Sequence, residues 1–566
     1  MMSSPTPEQA GGEQSALPWL RRYDPDVPAH IAYPHVPLYT LLDDAAAAQP
    51  GKTALLFYGR SFAYRDLKSH SDMLASSLRH LGVRPGDRVA LLMPNMPQFV
   101  VAYYAILKAS AVVVPLNPLY TERELTFQMT DAGVETVITI PMFLDKVARI
   151  APATPVKRVI AARIADAVPF PLSVAQRMKE GRMMRQGKGL TLLDFKTLSD
   201  RPAPTDFRPA AVDPASMAVL IYSGGTTGIA KGIMLSHDAC VANAYQVAAW
   251  GNLRGDERML AVLPLFHGFG MSVTMNAPIL HGGTTILMPR FNATDVVKAI
   301  QKYRPTFFIG VPTMFVALSS LPAIGRYDLS SLEGIFVGAA PLTQAIKENF
   351  EAKTGARMIE GYGLTEAVTA IMANPYHGAH KIGSIGIPFP DVEVKIVGID
   401  DGRDLPPGEL GEIVLRGPTM MLGYYKNEAE TARTIVDGWL HTGDIGMMDE
   451  DGYFSITDRK KELIIVGGFN VFPREIDEVI YRHPKVKEGI AVGIPDEYKG
   501  ERIKAYIVLQ DGATATAAEF DKYFRENLTA YKVPSEVEFR ADLPKSMIGK
   551  IMRRTLREEE LARTRP

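Results

Sequence analysis

The sequence predicts an α/β fold: a large N-terminal domain of parallel-type sheets with a small β barrel, followed by a small α+β domain. Up to about residue 380, apolar runs of strand length alternate with helical patterns. From residue 383, short strands are separated by Gly, Pro and Asp turns. After the charged stretch 458–461, strands and helices form a unit of about one hundred residues, a common domain size.

The alternation of the first domain begins near residue 38. Its first elements are the helix Tyr39–Gly51, the strand Thr53–Tyr58, the helix Tyr64–Gly82, the strand Asp87–Met93 and, after the next helix, the strand Val134–Ile140. Strands separated by helices favour a mostly parallel sheet that is covered on both faces. The most apolar stretch, Phe99–Leu116, is interrupted by Lys108 and Ser110, so we interpret it as a buried helix and a buried strand rather than a membrane span.

Composition and charge exclude several classes of protein. The chain has 566 residues, of which 46% are hydrophobic and 22% charged, as in a soluble globular protein with a sizeable core. A formal net charge of −1 argues against nucleic-acid binding. The single cysteine, Cys240, excludes a disulfide framework and is interpreted as a buried apolar residue. The start of the chain has no signal-peptide pattern. Because this start is polar, residues 1–30 are predicted to form a disordered tail.

The stretch Tyr222–His237, "YSGGTTGIAKGIMLSH", follows an apolar strand and interleaves hydroxyls with glycines before Lys231. Glycines let backbone N–H groups point together at an anion, and a lysine adds a charge suited to phosphate. The stretch therefore indicates a polyphosphate site, although a flexible surface loop explains it equally well when it is taken alone. It is not a Walker A loop, since no Ser or Thr follows the lysine.

Other predicted strands of this domain also end in loops of small residues. These are Leu260–Met271, which holds His267, then Gly334–Leu342 and Arg357–Ala367. Ligands of open α/β sheets bind beyond the carboxyl ends of the strands, so we expect these loops and Tyr222–His237 to surround one site.

Residues 157–188 differ from their surroundings in charge. They contain eight Lys and Arg residues against Asp166 and Glu180, with apolar side chains between them. Such a segment can bind an anionic membrane surface, and a solvated helical excursion explains it as well.

Five stretches stand in order along the chain: "YSGGTTGIAKG", "GYGLTEA", "GWLHTGDIG", "TDRKKELIIVGGFNVFPREID" and "LPKSMIGKIMRR". Together they resemble the adenylate-forming superfamily of acyl-CoA synthetases, peptide-synthetase adenylation domains and luciferases. The resemblance runs from about Trp19 to Arg554. "PWLRRYDPDVPAHI" and "NPLYTERELTFQMTDAG" look most like the bacterial long-chain fatty-acid:CoA ligases.

This resemblance implies that a fatty acid reacts with ATP to give acyl-AMP and pyrophosphate, after which CoA displaces AMP. The cofactors and substrates implied are ATP, Mg²⁺ and coenzyme A. Glu366 would bind Mg²⁺, a hard cation that favours carboxylate and phosphate oxygens, and Thr227 would be a second ligand. The residues implied to be catalytic are Lys550, Thr365, Glu366, Lys231 and His267.

Within the implied nucleotide site, Thr226, Thr227, Gly228 and Lys231 would hold the phosphates. Tyr362 would lie against adenine, while Asp444 and Arg459 would contact the ribose. The full set implied to bind nucleotide or CoA is Ser223, Gly224, Gly225, Thr226, Thr227, Gly228, Lys231, Gly338, Ala339, Ala340, Pro341, Glu360, Gly361, Tyr362, Gly363, Thr365, Asp444, Ile456, Arg459, Lys461, Gly467, Gly468 and Lys550.

The resemblance also implies a mobile C-terminal domain. The N-terminal adenylation domain would span 31–457, with its β-rich part at 383–457, and the C-terminal domain 462–566 would rotate about a hinge at 458–461 that includes Lys461. Lys550 would stabilise the adenylation transition state in one orientation, and Gly467–Pro473 would face CoA in the other.

An apolar tunnel is implied for the acyl chain, with Gly338, Ala339 and Gly363 keeping its mouth open. His267 would lie near the carboxylate, although a hydrogen-bonded core histidine is an equal alternative. The chain departs from its relatives at two positions. Gly224 replaces a serine of other branches, and Met271 stands where some long-chain relatives carry a gating aromatic residue.

Two alternatives to a long-chain ligase stay open. One is a medium-chain or aryl carboxylate ligase of the same superfamily, and the other is a non-catalytic acyl or nucleotide binder. We expect small-molecule substrates, no nucleic acid and a cytoplasmic location. Contact of residues 157–188 with the inner face of the membrane and homodimerisation are further hypotheses.

Overall fold

The computed structural model describes residues 17–184, 189, 191–201, 203–223, 230–322, 324–466, 469–496, 500–545 and 551–563, with the backbone alone at 461, 469 and 470. Contacts between residues divide the chain into two compact units. The first runs to Glu393 and includes Arg416–Leu440, and the second comprises Val394–Leu415 and the chain from His441 onward. The β-rich strands at 394–415 and 441–457 therefore group with the C-terminal residues. The hinge at 458–461 stays a prediction.

The helices of the first unit follow the predicted alternation. They are α1 (Thr40–Ala48), α2 (Tyr64–His80), α3 (Pro97–Lys108), α4 (Glu122–Ala132), α5 (Leu144–Ile150), α6 (Leu172–Met183), α7 (Phe195–Ser199), α8 (His237–Trp250), α9 (Gly268–Met271), α10 (Ala277–His281), α11 (Ala293–Tyr303), α12 (Pro312–Ser319), α13 (Gln344–Thr354) and α14 (Glu428–Thr434). Local sequence explains their ends. Thr121 and Glu124 form a capping box at the start of α4, and Gly133 ends it in the left-handed conformation.

The strands of the first unit are short apolar segments between these helices. They are β1 (Thr53–Phe57), β2 (Arg60–Ala63), β3 (Arg88–Leu92), β4 (Val112–Pro115), β5 (Thr136–Thr139), β6 (Arg158–Ala161), β7 (Leu192–Asp194), β8 (Met217–Ser223), β9 (Lys231–Ser236), β10 (Arg258–Ala261), β11 (Thr284–Leu287), β12 (Phe307–Gly310), β13 (Gly334–Val337), β14 (Arg357–Gly363), β15 (Ala370–Ala373), β16 (Ile387–Pro388), β19 (Gly423–Tyr424) and β20 (Ile435–Val436).

Most of these strands form two sheets. One has the order β16-β15-β14-β13-β12-β10-β11-β1-β2, and the other the order β19-β9-β8-β4-β3-β5-β6-β7. The strands β10 to β14 that lie side by side in the first sheet are parallel, as are β3 to β6 in the second. Apolar residues of both sheets are buried against the helices. The predicted α/β class with parallel-type sheets is confirmed.

The apolar stretch Phe99–Leu116 forms α3 and β4, as predicted. Lys108, at the end of α3, is fully buried and pairs with the carboxylates of Asp43 and Asp72, which compensates its charge. Among the described helices, none has the length and apolarity that a bilayer crossing requires.

The described part of the predicted N-terminal tail is packed. Pro18–Arg22 form a 3₁₀ turn in which Trp19 is buried. The ring of Tyr23 meets Trp250 edge-on, and its hydroxyl donates a hydrogen bond to the carbonyl of Pro388 at 2.8 Å. Residues 17–30 are therefore ordered, contrary to the expected disorder, because their aromatic side chains supply apolar surface that the polar start lacks.

The second unit contains antiparallel strands followed by an α+β arrangement. Its strands are β17 (Glu393–Val397), β18 (Gly411–Arg416), β21 (Trp439–Met448), β22 (Phe454–Arg459), β23 (Ile464–Val466), β24 (Phe469–Val471), β25 (Val486–Asp496), β26 (Gly500–Leu509) and β27 (Glu536–Phe539). The first three of these strands each include one or two residues that are assigned to the first unit. Its helices are α15 (Pro473–Arg482), α16 (Ala517–Asn527) and α17 (Arg553–Arg563). One sheet has the order β24-β23-β26-β25, with β27 beside β26, and packs on the apolar side chains of α15 and α16.

Candidate active site

A β-hairpin carries the Gly/Thr stretch. Strands β8 and β9 are antiparallel, and their register pairs Ser223 with Lys231. The residues between them that were predicted to bind phosphate, Gly224, Gly225, Thr226, Thr227 and Gly228, lie outside the described part of the chain. The hairpin therefore fixes both ends of this loop and sets Lys231 at its base. Cys240 is buried on the following helix α8, as predicted.

Lys231 lies beside residues that the sequence analysis did not identify. Strand β19 pairs with β9 so that Tyr424 is opposite Ile233. Lys231 and Ile233 point to the same face of β9, so Tyr424 is a diagonal neighbour of Lys231. The Lys231 ammonium lies 5.0 Å from the centre of the Tyr424 ring, as in a cation–π contact.

The Lys231 ammonium also forms an ion pair with the carboxylate of Glu430, on helix α14. Arg433 contacts the other carboxylate oxygen of Glu430 at 2.9 Å. These two cations hold the pKa of Glu430 below its usual value. The predicted phosphate-binding lysine therefore has an anionic partner within the protein itself.

Glu366 is held by the same tyrosine. It belongs to the 3₁₀ turn Thr365–Ala367 that follows β14, and its Oε1 accepts a hydrogen bond from the Tyr424 hydroxyl at 3.0 Å. Burial, with the Glu366 carboxylate close by, raises the pKa of Tyr424. Tyr424 therefore links the lysine predicted to bind phosphate with the glutamate predicted to bind Mg²⁺.

The turn around Glu366 is strained and closely packed. Val368 has φ 65°, which is rare for a β-branched residue, and such strain is found most often at functional sites. At Gly363, a Cβ atom would come within 1.6 Å of the Thr369 carbonyl oxygen, so only glycine fits. Thr365 and Glu366 are thereby held at the end of β14.

The chemistry of this turn suits magnesium. A single carboxylate is a typical protein ligand for Mg²⁺, which keeps water and substrate phosphates as its other ligands. The residues that the structure describes contain no group of three His, Cys, Asp or Glu side chains arranged for a metal. The predicted second ligand, Thr227, lies outside them.

A cavity opens at the carboxyl ends of β10, β12, β13 and β14, and together with the adjoining open solvent it has a volume of about 730 Å³. It brings together six residues of the predicted site: His267, Gly338, Ala339, Gly361, Tyr362 and Gly363. The remaining lining is mostly apolar and consists of Val247, Trp250, Gly251, Leu253, Met259, Phe269, Val273, Ile309, Phe336, Val337, Thr369, Ala370, Met372, Ala373 and Phe389. The adjacent parallel strands explain why residues far apart in sequence meet here.

Sequence reasoning missed most of this apolar lining. Trp250 and Phe389, for example, face the cavity from elements outside the strand-end loops. Their rings lie 4.7 Å apart. Only their hydrophobicity could have indicated them, and buried core residues share that signal.

Glu360, predicted to contact the nucleotide, is buried beneath the loop after β13. Its Oε1 accepts a hydrogen bond from the backbone N–H of Leu342 at 3.1 Å. Ala340 and Pro341, in that loop, are exposed. This hydrogen bond therefore holds the end of the loop Gly338–Pro341 in place.

His267 lines the cavity at the start of α9. Its Nδ1 accepts a hydrogen bond from the backbone N–H of Phe269 at 3.2 Å. The surrounding protein lowers the pKa of His267 by desolvation, which favours the neutral imidazole. In that form the proton is on Nε2, because Nδ1 is an acceptor, so His267 can donate a hydrogen bond to a carboxylate.

Within the second unit, Asp444 and Arg459 are register partners on β21 and β22. Arg459 Nε lies 2.7 Å from Asp444 Oδ1, and Asp444 is buried. The carbonyl of Ile456 accepts a hydrogen bond from Arg474 at 2.6 Å. The predicted ribose-binding pair is therefore assembled within this unit.

The remaining predicted residues of the second unit are only partly described. The backbone of Lys461 lies in the 3₁₀ turn Lys460–Glu462. Gly467, Gly468 and Lys550 lie outside the described residues. Arg553, three residues beyond Lys550, pairs with Glu462 and Asp477.

Comparison with known proteins identifies two family models in the chain. The model for AMP-binding enzymes matches residues 42–425, and the model for the AMP-binding enzyme C-terminal domain matches residues 475–550. A long-chain-fatty-acid–CoA ligase of Bacillus subtilis (strain 168) is 40% identical over 552 residues, which cover 97% of this chain and 99% of that protein.

Two solved structures share the fold. The anthranilate CoA ligase AuaEII in complex with anthranoyl-AMP has a TM-score of 0.80 at 27% identity, covering 95% of this chain and 99% of that one. ATP-bound MatB from Rhodopseudomonas palustris has a TM-score of 0.79 at 29% identity, covering 92% and 98%.

Proposed function

Since this chain belongs to the family of AMP-binding enzymes, we propose that it is an AMP-forming ligase that converts a long-chain fatty acid to its CoA thioester. A carboxylate oxygen of the fatty acid attacks the α-phosphorus of ATP, and pyrophosphate leaves. The CoA thiol then attacks the acyl carbonyl of acyl-AMP, loses its proton and displaces AMP. The overall reaction is fatty acid + ATP + CoA to acyl-CoA + AMP + pyrophosphate.

The observation that carries this proposal is the cavity beyond β10 to β14. One part of its wall comes from the predicted nucleotide-binding loops, including Gly338 and Tyr362, while most of the rest is apolar. An adenylate with a fatty acyl group needs both kinds of surface. Burial of a methylene group contributes about 0.8 kcal/mol, so a chain of a dozen gains on the order of 10 kcal/mol before ordering costs.

The first step brings a carboxylate to a polyphosphate, so negative charges must be neutralised and aligned. In our proposal Lys231 binds the phosphates, and Glu366 holds Mg²⁺, which supplies charge neutralisation when it is bound. The Nε2–H group of His267 donates a hydrogen bond to the fatty carboxylate and orients it. Asp444 accepts hydrogen bonds from the ribose, and Lys550 stabilises the α-phosphoryl transition state.

An aryl or medium-chain ligase is the second candidate. It is favoured by the aromatic side chains of Trp250, Phe336 and Phe389 in the lining of the cavity and by the solved anthranilate ligase. Apolar pockets distinguish single methylene groups by only about 1–3 kcal/mol, so a panel of substrates is required.

The experiment measures AMP release with ATP, Mg²⁺ and CoA for carboxylates from C6 to C18 and for benzoate and anthranilate. We expect kcat/KM to rise with chain length and to be highest among long chains. A maximum at benzoate or anthranilate would replace our proposal with the aryl candidate. Absence of ATP–pyrophosphate exchange with every carboxylate would instead favour a non-catalytic binder.

A further inference from the structure

Arg553, the first residue of helix α17, connects this helix to three other places in the second unit. Its guanidinium forms ion pairs with the carboxylates of Glu462 and Asp477. Its Nε also donates a hydrogen bond to the carbonyl of Ala491 at 3.1 Å. The Arg553 side chain is only 16% exposed. A guanidinium presents its donors in a rigid planar fork, so one side chain makes all three contacts at once.

The partners of Arg553 also contact one another. Asp477, on α15, accepts a hydrogen bond from the backbone N–H of Ala491 at 2.6 Å, and Ala491 is fully buried within β25. Arg553, Asp477 and Ala491 therefore form a closed ring of polar contacts. Glu462 lies directly after the predicted hinge at 458–461. Arg553 thus ties the start of α17 to the sheet and to the residue that follows the predicted hinge.

The residues just before Arg553 are held at both ends. Lys545 and Ile551 form an isolated antiparallel bridge through their backbones. Ile551 packs on buried side chains of β25, β26 and α17. Lys550, which lies outside the described residues, is bonded directly to Ile551. A shift of Arg553 would therefore reach Lys550 through only two intervening residues.

We propose that Arg553 is a positioning residue for the adenylation step. It fixes the chain beside Lys550, so that the ammonium of this lysine is held where the α-phosphoryl group reacts. This inference rests on the role of Lys550 in the proposed function. The thioester-forming step does not use Lys550, so it should not depend on Arg553 either.

A purely structural role of Arg553 predicts a different pattern. Damage to the packing of the second unit would reduce both half-reactions alike, whereas a positioning role reduces only the half-reaction that uses Lys550. Lysine is the mildest replacement for testing this difference. It keeps the positive charge, but its compact ammonium cannot reproduce the fork that contacts Glu462, Asp477 and Ala491 together.

The test compares the two half-reactions in Arg553→Lys. ATP–pyrophosphate exchange is measured with palmitate, and thioester formation is measured with supplied palmitoyl-AMP and CoA. Since small misplacements of a reacting group are costly, we expect kcat for exchange to fall by about tenfold or more. KM for ATP and the rate of thioester formation should stay within about twofold of the parent chain.

A second variant and a matched control accompany Arg553→Lys. Glu462→Gln removes only the ion pair beside the predicted hinge, so exchange should fall less, by about threefold, with thioester formation unchanged. Arg554→Lys is the control, because Arg554 is 48% exposed and pairs with Glu558 of the same helix at 2.6 Å. It should retain both half-reactions.

A double-variant cycle connects the effect to Lys550. In the Lys550→Ala background, Arg553→Lys should change the residual exchange by less than about twofold, because the group that it positions is absent. Additive losses would overturn the inference, as would full exchange or an equal loss of both half-reactions in Arg553→Lys. If Arg553→Lys does not fold, full exchange in Glu462→Gln overturns it. A parent chain without exchange would overturn the proposed function, and this inference with it.

Discussion

The hydroxyl of Tyr424 donates a hydrogen bond to Oε1 of Glu366 at 3.0 Å. The ring of the same tyrosine lies beneath the ammonium group of Lys231. One side chain from a two-residue strand thus contacts both a predicted metal ligand and a predicted phosphate ligand.

Removal of the Tyr424 hydroxyl is expected to raise the Mg²⁺ concentration that the reaction requires. Tyr424→Phe keeps the ring beneath Lys231 but removes the hydrogen bond that orients Glu366, and a bond to a charged group contributes about 1.5–3 kcal/mol. The Mg²⁺ concentration for half-maximal ATP–pyrophosphate exchange should rise about tenfold. Tyr425→Phe is the control, and an unchanged Mg²⁺ requirement in Tyr424→Phe would contradict a positioning role.

Neutralising Glu430 is expected to tighten ATP binding. Glu430 pairs with Lys231 and carries a charge that repels phosphate, so Glu430→Gln frees the ammonium for the nucleotide. At a partly exposed pair the gain is about 1 kcal/mol, or fivefold in KM for ATP. Glu428→Gln, on the same helix α14, should have no effect. If KM for ATP rose in Glu430→Gln, Glu430 would be needed to orient Lys231.

Lys550→Ala is expected to separate the two half-reactions. Loss of a cation at the α-phosphoryl transition state should reduce ATP–pyrophosphate exchange by at least about a hundredfold. Conversion of supplied acyl-AMP and CoA to acyl-CoA should continue. Lys545→Ala, five residues earlier, is the control because Lys545 pairs with Glu488. Full exchange in Lys550→Ala would show that another residue carries this role.

Stability should fall in mild acid because of His237. Its Nδ1 accepts a hydrogen bond from the N–H of Leu38 at 3.1 Å, and burial lowers its pKa to about 4. The unfolded chain, with a pKa near 6.5, binds this proton first, so stability is lost as the pH falls from about 6.5 to 4. At pH 5 the loss amounts to about 2 kcal/mol.

Urea unfolding at pH 7 and pH 5 measures this loss. His237→Asn, which can also accept the bond from Leu38, should reduce the difference between the two pH values. The exposed residue His35 provides the control variant, His35→Asn. An equal pH dependence in His237→Asn and the parent chain would assign the acid sensitivity to other groups.

The sequence predicted the parts of the site that depend on strand order. Gly338, Tyr362 and His267 meet at one cavity because β13, β14 and β10 belong to one parallel sheet. Alternating strands and helices indicate such a sheet, and loops at its carboxyl edge must then be neighbours.

Contacts that depend on distant, short elements could not be predicted. Tyr424 and Glu430 are about 200 residues away from Lys231 along the chain. Tyr424 lies on a strand of only two residues, which leaves no periodic signal, and Glu430 lies on the next helix, α14.

The hairpin that pairs Ser223 with Lys231 also constrains how this gene can vary. Side chains alternate between the two faces of a strand, so one residue inserted between Lys231 and Ile233 would turn the ammonium away from Tyr424. The sheet could accommodate the inserted residue as a β-bulge, but the Lys231 ammonium would no longer lie where the reaction needs it. Length changes inside β9 should therefore produce folded chains without activity, and they would disappear from a library selected for growth on fatty acids but persist in one selected for solubility.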